Sequence, residues 1–154
     1  MSLARIRARL PSAELLGLYQ LSHHQLCFHK HGDDSSGKCD AFLTHRPSDK
    51  IFGALYQISF EEKVILDKIE GVGVGYDIRE VLVTNYQGAE QAAYMYYATK
   101  IKNELKPYSW YLNHVLVGAQ EIGVPQEYYQ QLLSISAIDD PDRNRERQEF
   151  SVHK

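Results

Sequence analysis

The order of its two hydrophobic periods constrains this chain most. Apolar or alternating runs of strand length come first, at residues 14–20, 25–31, 39–44 and 51–58. Residues 32–38, GDDSSGK, read as a loop. Ser59-Phe60-Glu61-Glu62 then has the capping-box pattern, and Val64, Ile65, Leu66 and Ile69 carry a helix to a stop near Gly71. Two further strands follow, over about 78–84 and 91–98, joined by a turn at Tyr86-Gln87-Gly88. Only after Pro107 does the helical period take over. Tyr111, Val115, Ala119 and Ile122 share one face of a helix opened by Pro107 and ended by Gly123, with Pro125 beyond. A short helix over 126–133 comes next. Strands first and helices mostly late predict an α+β fold rather than a repeating βαβ unit.

The 154 residues suit one domain. Residues 1–138 are assigned to that domain and 139–154 to a charged tail, mixed in sign, either a solvated helix or frayed, with no chemistry of its own. A net charge of −3 argues against a nucleic-acid partner held by a basic face. No apolar run approaches the roughly 18–20 residues that cross a bilayer, so no membrane partner is expected. Two cysteines, Cys27 and Cys39, are too few for a small secreted scaffold, which points to a cytoplasmic location. Arg5, Arg7 and Arg9 near the start resemble a transit peptide in composition, but residues 5–10 also read as one amphipathic helical turn ending at Pro11. The structured reading is preferred.

Three constellations invite a chemical reading. Cys27-x-His29-x-His31 with Cys39 would place three ligands on one strand face, as chelation wants, yet the spacing matches none of the common zinc patterns. No metal is assigned. Gly71-x-Gly73-x-Gly75 follows a helix and precedes a strand, the reverse of a dinucleotide loop, so its glycines are expected to serve the backbone. Glu70 is the acid to single out. It ends a helix, where the carbonyl dipoles disfavour negative charge, among apolar Ile69, Val72 and Val74. Such a local conflict flags function. Eleven tyrosines are present, whose default role is packing.

Several motifs in fixed order resemble the γ-glutamyl cyclotransferase family, which includes AIG2-like proteins. They are Arg5-Ile6 with Pro11-Ser12-Ala13, Ile51-Phe52-Gly53-Ala54-Leu55-Tyr56, and Leu66-Asp67-x-x-Glu70-Gly71-Val72 with Gly75-Tyr76. Pro107-x-Ser109-x-Tyr111, Gly118-Ala119, Gly123-x-Pro125 and Tyr128 complete the set. The resemblance implies a mixed β-barrel flanked by helices and an enzyme that needs no cofactor. Its reaction converts γ-glutamyl amino acids or amines to 5-oxoproline and a free amine, chemistry that belongs to glutathione metabolism. Glu70 is implied as general base and then acid, with Tyr76 and Tyr111 as substrate-binding residues. The implied partner is a small γ-glutamyl molecule, and the expected assembly a monomer or homodimer. A non-catalytic ligand-binding or interaction module on the same fold is the alternative.

One departure from the family pattern stands out. The family's barrel opens with a strand ending in a Tyr-Gly-Ser-Asn loop, whose backbone N–H groups are expected to hold a carboxylate or oxyanion. Met1 stands where the residue after that Asn would be. The expectation is a fold without its first strand and with impaired activity. A recorded start at an internal Met, of a chain longer by about ten residues, is preferred to a short, inactive or repurposed form.

Overall fold

The computed structural model describes residues 2–153. Helix α1 (Leu3–Arg9) leads into four strands, β1 (Glu14–Ser22), β2 (His24–His31), β3 (Gly37–Leu43) and β4 (Lys50–Gln57). Helix α2 (Phe60–Glu70) separates these from β5 (Tyr76–Asn85) and β6 (Glu90–Ala98). Three helices follow: α3 (Ser109–Ile122), α4 (Gln126–Leu133) and α5 (Arg143–Ser151). The α+β class and the flanking helices are as the sequence implies. The barrel is not closed, however. Among the described residues the strands form a four-stranded sheet in the order β4-β1-β5-β6 and a separate β2-β3 pair. Every pairing between these strands is antiparallel rather than mixed.

One of the two open seams lies where β3 and β6 approach each other. Instead of a backbone ladder, the Asp40 side chain takes the Ala98 N–H, at 2.7 Å from its Oδ1. A donor that a neighbouring strand would use is thus already satisfied by a carboxylate. Met1, the position at which the family's opening loop would join, lies outside the described residues.

Local chemistry sets α2 with care. Ser59 Oγ accepts from the Glu62 N–H while Glu62 reaches back to Ser59, a complete capping box. Glu62 also accepts the Ser12 N–H at 2.9 Å, tying the start of α2 to the segment after α1. Leu66 packs with Ile6, Leu10 and Ala13, so α1 lies against α2. Gly71 ends the helix in the left-handed conformation, φ 70°, a geometry that L side chains rarely adopt. A second apolar cluster joins α3 and α4 to β4 through Ala119, Tyr128, Leu132, Ile51 and Phe52.

Helix α3 starts at Ser109, two residues after the Pro107 signal. The backbone there is engaged elsewhere: Ile138 N–H donates to Pro107 O and Ser109 N–H donates to Ile138 O. The charged tail forms α5, docked by ion pairs rather than apolar packing, since none of its residues is buried. No helix among the described residues is long and apolar enough to cross a membrane.

Candidate active site

Glu70 is the last residue of α2, and its position follows from the Gly71 stop. The conflict expected there is resolved by a partner that sequence proximity does not show. Arg9 of α1 donates from Nη1 to Glu70 Oε1 at 3.0 Å. The apolar neighbours do not enclose the carboxylate: Ile69 is 46% and Val74 65% exposed. The partly buried Glu70 side chain thus faces a cation across the cavity wall.

The other two candidates meet at one residue. Tyr76 opens β5 and donates its hydroxyl to the Cys39 carbonyl at 2.6 Å. Tyr111 of α3 accepts the Cys39 N–H on its hydroxyl at 3.1 Å. Elements far apart in sequence thus clamp both backbone groups of one residue on β3. Burial, then the charges of Cys39, Glu70 and Asp40, pushes the Tyr76 hydroxyl well above its ordinary range. Burial likewise raises Tyr111 and moves the Cys39 thiol up to about 11. These groups are neutral donors and acceptors near neutral pH.

Glu70, Tyr76 and Tyr111 line one cavity of about 360 Å³, together with Arg5, Arg9 and Lys30. The structure therefore brings the three sequence candidates to a single place. Tyr96, which sequence reasoning left as packing, joins them there. Its hydroxyl donates to Asp67 Oδ1 at 2.6 Å, one turn before Glu70. A larger cavity, about 610 Å³, lies against α4 and contains none of these residues.

Sequence reasoning missed the cations. Arg5 and Arg9 are spaced i, i+4 and face the cavity, while Arg7 between them is exposed; the spacing itself was the available signal. Lys38 is the fourth cation. Its ammonium donates to Asp34 Oδ2 at 2.7 Å and lies 4.7–5.7 Å from the ring centres of Tyr108, Trp110 and Tyr111. Burial lowers its pKa, with Asp34 opposing.

The metal-like constellation is dispersed by a bulge. Cys27 pairs with Asp40 and Lys30 with Lys38, so β2 spends one more residue than β3 over this interval. Strict alternation of positions 27, 29 and 31 is broken. His29 instead bonds Asp40 Oδ2 through Nε2 at 2.7 Å. No group of three or more His, Cys, Asp or Glu is placed to hold a metal among the described residues.

Comparison with known proteins fits this geometry. The model of the AIG2-like family matches residues 50–132, more than half of the chain, including all of α2 and the Gly71–Tyr76 turn. This chain belongs to the AIG2-like family. Gamma-glutamylcyclotransferase of Bos taurus is 30% identical over 143 residues, covering 88% of this chain and 73% of that protein. The protein of the same name from Homo sapiens is 29% identical with the same coverage. A solved structure of gamma-glutamyl cyclotransferase superposes with a TM-score of 0.88 at 26% identity, covering 99% of this chain and 92% of that one. The α+β architecture of this AIG2-like chain is thus shared over nearly its whole length.

Proposed function

We propose that the chain is a γ-glutamyl cyclotransferase that releases 5-oxoproline from γ-glutamyl amino acids or amines, with Glu70 moving the proton. The observation that carries this reading is the Glu70 carboxylate lining a cavity whose wall is fixed by two tyrosines. In the reaction the substrate's α-amine attacks its own side-chain carbonyl carbon. A C–N bond forms within the new ring, and the original amide C–N bond breaks. The attacking nitrogen gives up a proton and the departing nitrogen gains one, so no other reactant is consumed. A single carboxylate between the two nitrogens serves both transfers. Arg9 supplies the counter-charge for the carboxylate form, which is the form that accepts the proton.

Because the attack is intramolecular, holding the substrate folded removes much of the barrier. The hydrogen-bonded tyrosines, Tyr76 buried and Tyr111 partly so, support a cavity wall that keeps its shape. The family relationship supports the reaction class, and the cavity contents support the residue roles.

The test is 5-oxoproline release from a panel of γ-glutamyl dipeptides and γ-glutamyl amines. Turnover by the unaltered chain is expected, with Glu70→Gln lowering it by about 10²–10⁴, the usual range for a general acid–base group, while binding persists. Absence of product across the panel would remove the proposal. Tight binding without turnover would instead favour a ligand-binding module.

A further inference from the structure

Among the described residues four cationic side chains line the cavity around Glu70, and three of them already have carboxylate partners. Arg5 pairs with Glu149 at 2.7 Å, Arg9 with Glu70 at 3.0 Å and Lys38 with Asp34 at 2.7 Å. Among the described residues Lys30 has no ion-pair partner. Its ammonium lies 4.9 Å from the Tyr76 ring centre, a contact that attracts the cation without neutralising it. The side chain is also pressed close to the backbone at Gly75, where an added Cβ would meet Lys30 Cε at 3.0 Å and Nζ at 3.2 Å. The ammonium is thereby held at the cavity wall.

The register makes this placement costly. Lys30 stands directly opposite Lys38 across the β2–β3 ladder, and like charges in that relation repel. Asp34 offsets Lys38; nothing among the described residues offsets Lys30. An uncompensated conflict of this kind, facing a cavity, marks a place where a ligand completes the electrostatics.

We infer that Lys30 is the residue that holds a carboxylate of the substrate, making the site selective for anionic γ-glutamyl compounds. This rests on the reading of the cavity as a γ-glutamyl site. A γ-glutamyl amino acid carries two such groups, the α-carboxylate of the glutamyl part and the carboxylate of the departing amino acid. Either one, brought to Lys30, forms a charge-assisted hydrogen bond and relieves the repulsion from Lys38.

The test uses glutaryl-L-alanine, which keeps both carboxylates but lacks the attacking amine and is not consumed. Its binding to the full chain is measured by calorimetry, beside two analogues in which one or the other carboxylate is a carboxamide. Lys30→Gln is expected to weaken glutaryl-L-alanine about ten- to a hundredfold, the range for a hydrogen bond to a charged group, and Lys30→Arg to retain most of the affinity. The substitution is expected to leave unchanged the analogue that lacks the carboxylate Lys30 holds, which identifies the group. Equal weakening of all three ligands, an unaffected Lys30→Gln protein of unchanged thermal stability, or no binding by the unaltered chain overturns the assignment. Binding that depends on Lys30 without 5-oxoproline release from true substrates would remove the cyclotransferase reading and leave Lys30 in place. Release that is indifferent to Lys30 would do the reverse.

Discussion

At the scale of single residues, Cys39 organises the site through its backbone. Tyr76 and Tyr111 spend their hydroxyls on its C=O and N–H, which gives each tyrosine a structural duty beside any contact with substrate. Removing either hydroxyl leaves a backbone group in a largely buried setting without a partner. Tyr76→Phe and Tyr111→Phe are each expected to cost about 1–3 kcal/mol in urea unfolding. A rise in KM beyond what the lost stability explains would mark a direct contact with substrate as well. A wild-type unfolding curve would show that the Cys39 groups find other partners. Glu70 and the two tyrosines were legible in the sequence because motif order and a helix-end acid point to them. Arg9, Lys30 and Lys38 were not, because a cation on a short amphipathic segment or strand reads as a solvated side chain until its partner across the fold is known.

At the scale of elements, α5 shows how far a charge pattern can mislead. The tail after Asp139 has no apolar stripe, and nothing in its periodicity announces a docked helix. Its anchor is Asp140, fully buried, which accepts from Trp110 Nε1 at 2.7 Å and from Arg145 Nε and Nη2 at 2.6 Å each. Arg145, with help from Trp110, holds the Asp140 carboxyl down at about 2 despite burial. Arg145→Ala would leave that buried carboxylate with neutral donors only, the Trp110 and Asp142 N–H groups. The expected loss is on the order of 2 kcal/mol, less than the roughly 3–5 for a pair stripped of every donor. Thermal melts of the variant check it, and an unchanged midpoint would mean that Trp110 and the Asp142 N–H suffice. By contrast, α2, α4 and the strands were readable to within about two residues, because capping, glycine and proline signals act locally.

At the scale of the whole molecule, the first and last helices meet behind two residues of the cavity wall, Arg5 and His114. Arg5 from α1 meets Glu149 from α5, and the same carboxylate accepts from His114 Nε2–H at 2.8 Å. A carboxylate only accepts, so His114 carries its proton on Nε2 and receives the His153 Nε2–H on Nδ1, at 2.6 Å. Burial, with the Arg5 and His153 charges, moves His114 down to about 4, although Glu149 opposes the shift. Glu149 is itself lowered: burial raises it, but the His114 hydrogen bond and the Arg5 charge prevail.

The sign follows for both groups. Between about 6.5 and 4 the unfolded histidine binds more protons than the folded one, so stability falls as the pH falls through that window. Glu149 works in the same direction, since its lowered carboxyl contributes stability that is lost as it protonates on acidification. Melting temperature should therefore decline on acidification from pH 7 to 4, and His114→Gln should flatten the slope between 6.5 and 4 while lowering the midpoint at pH 7. A slope unaltered by the substitution would exonerate His114. No local pattern carries this network, since its members come from three helices and from His153 beyond the last of them. That the barrel stays open was likewise beyond sequence reading, because closure depends in part on which donors at β3 and β6 are already taken.

The bulge in β2 has one more consequence. Consecutive strand residues ordinarily address opposite faces, yet His29 reaches Asp40 and its neighbour Lys30 stands opposite Lys38, two residues along the same face of β3. Two adjacent codons therefore govern one surface, one for the scaffold and one for the guest. Mutation can rewrite the second while the first stays fixed. Divergence among relatives in what they accept can then proceed at position 30 without trading away the fold.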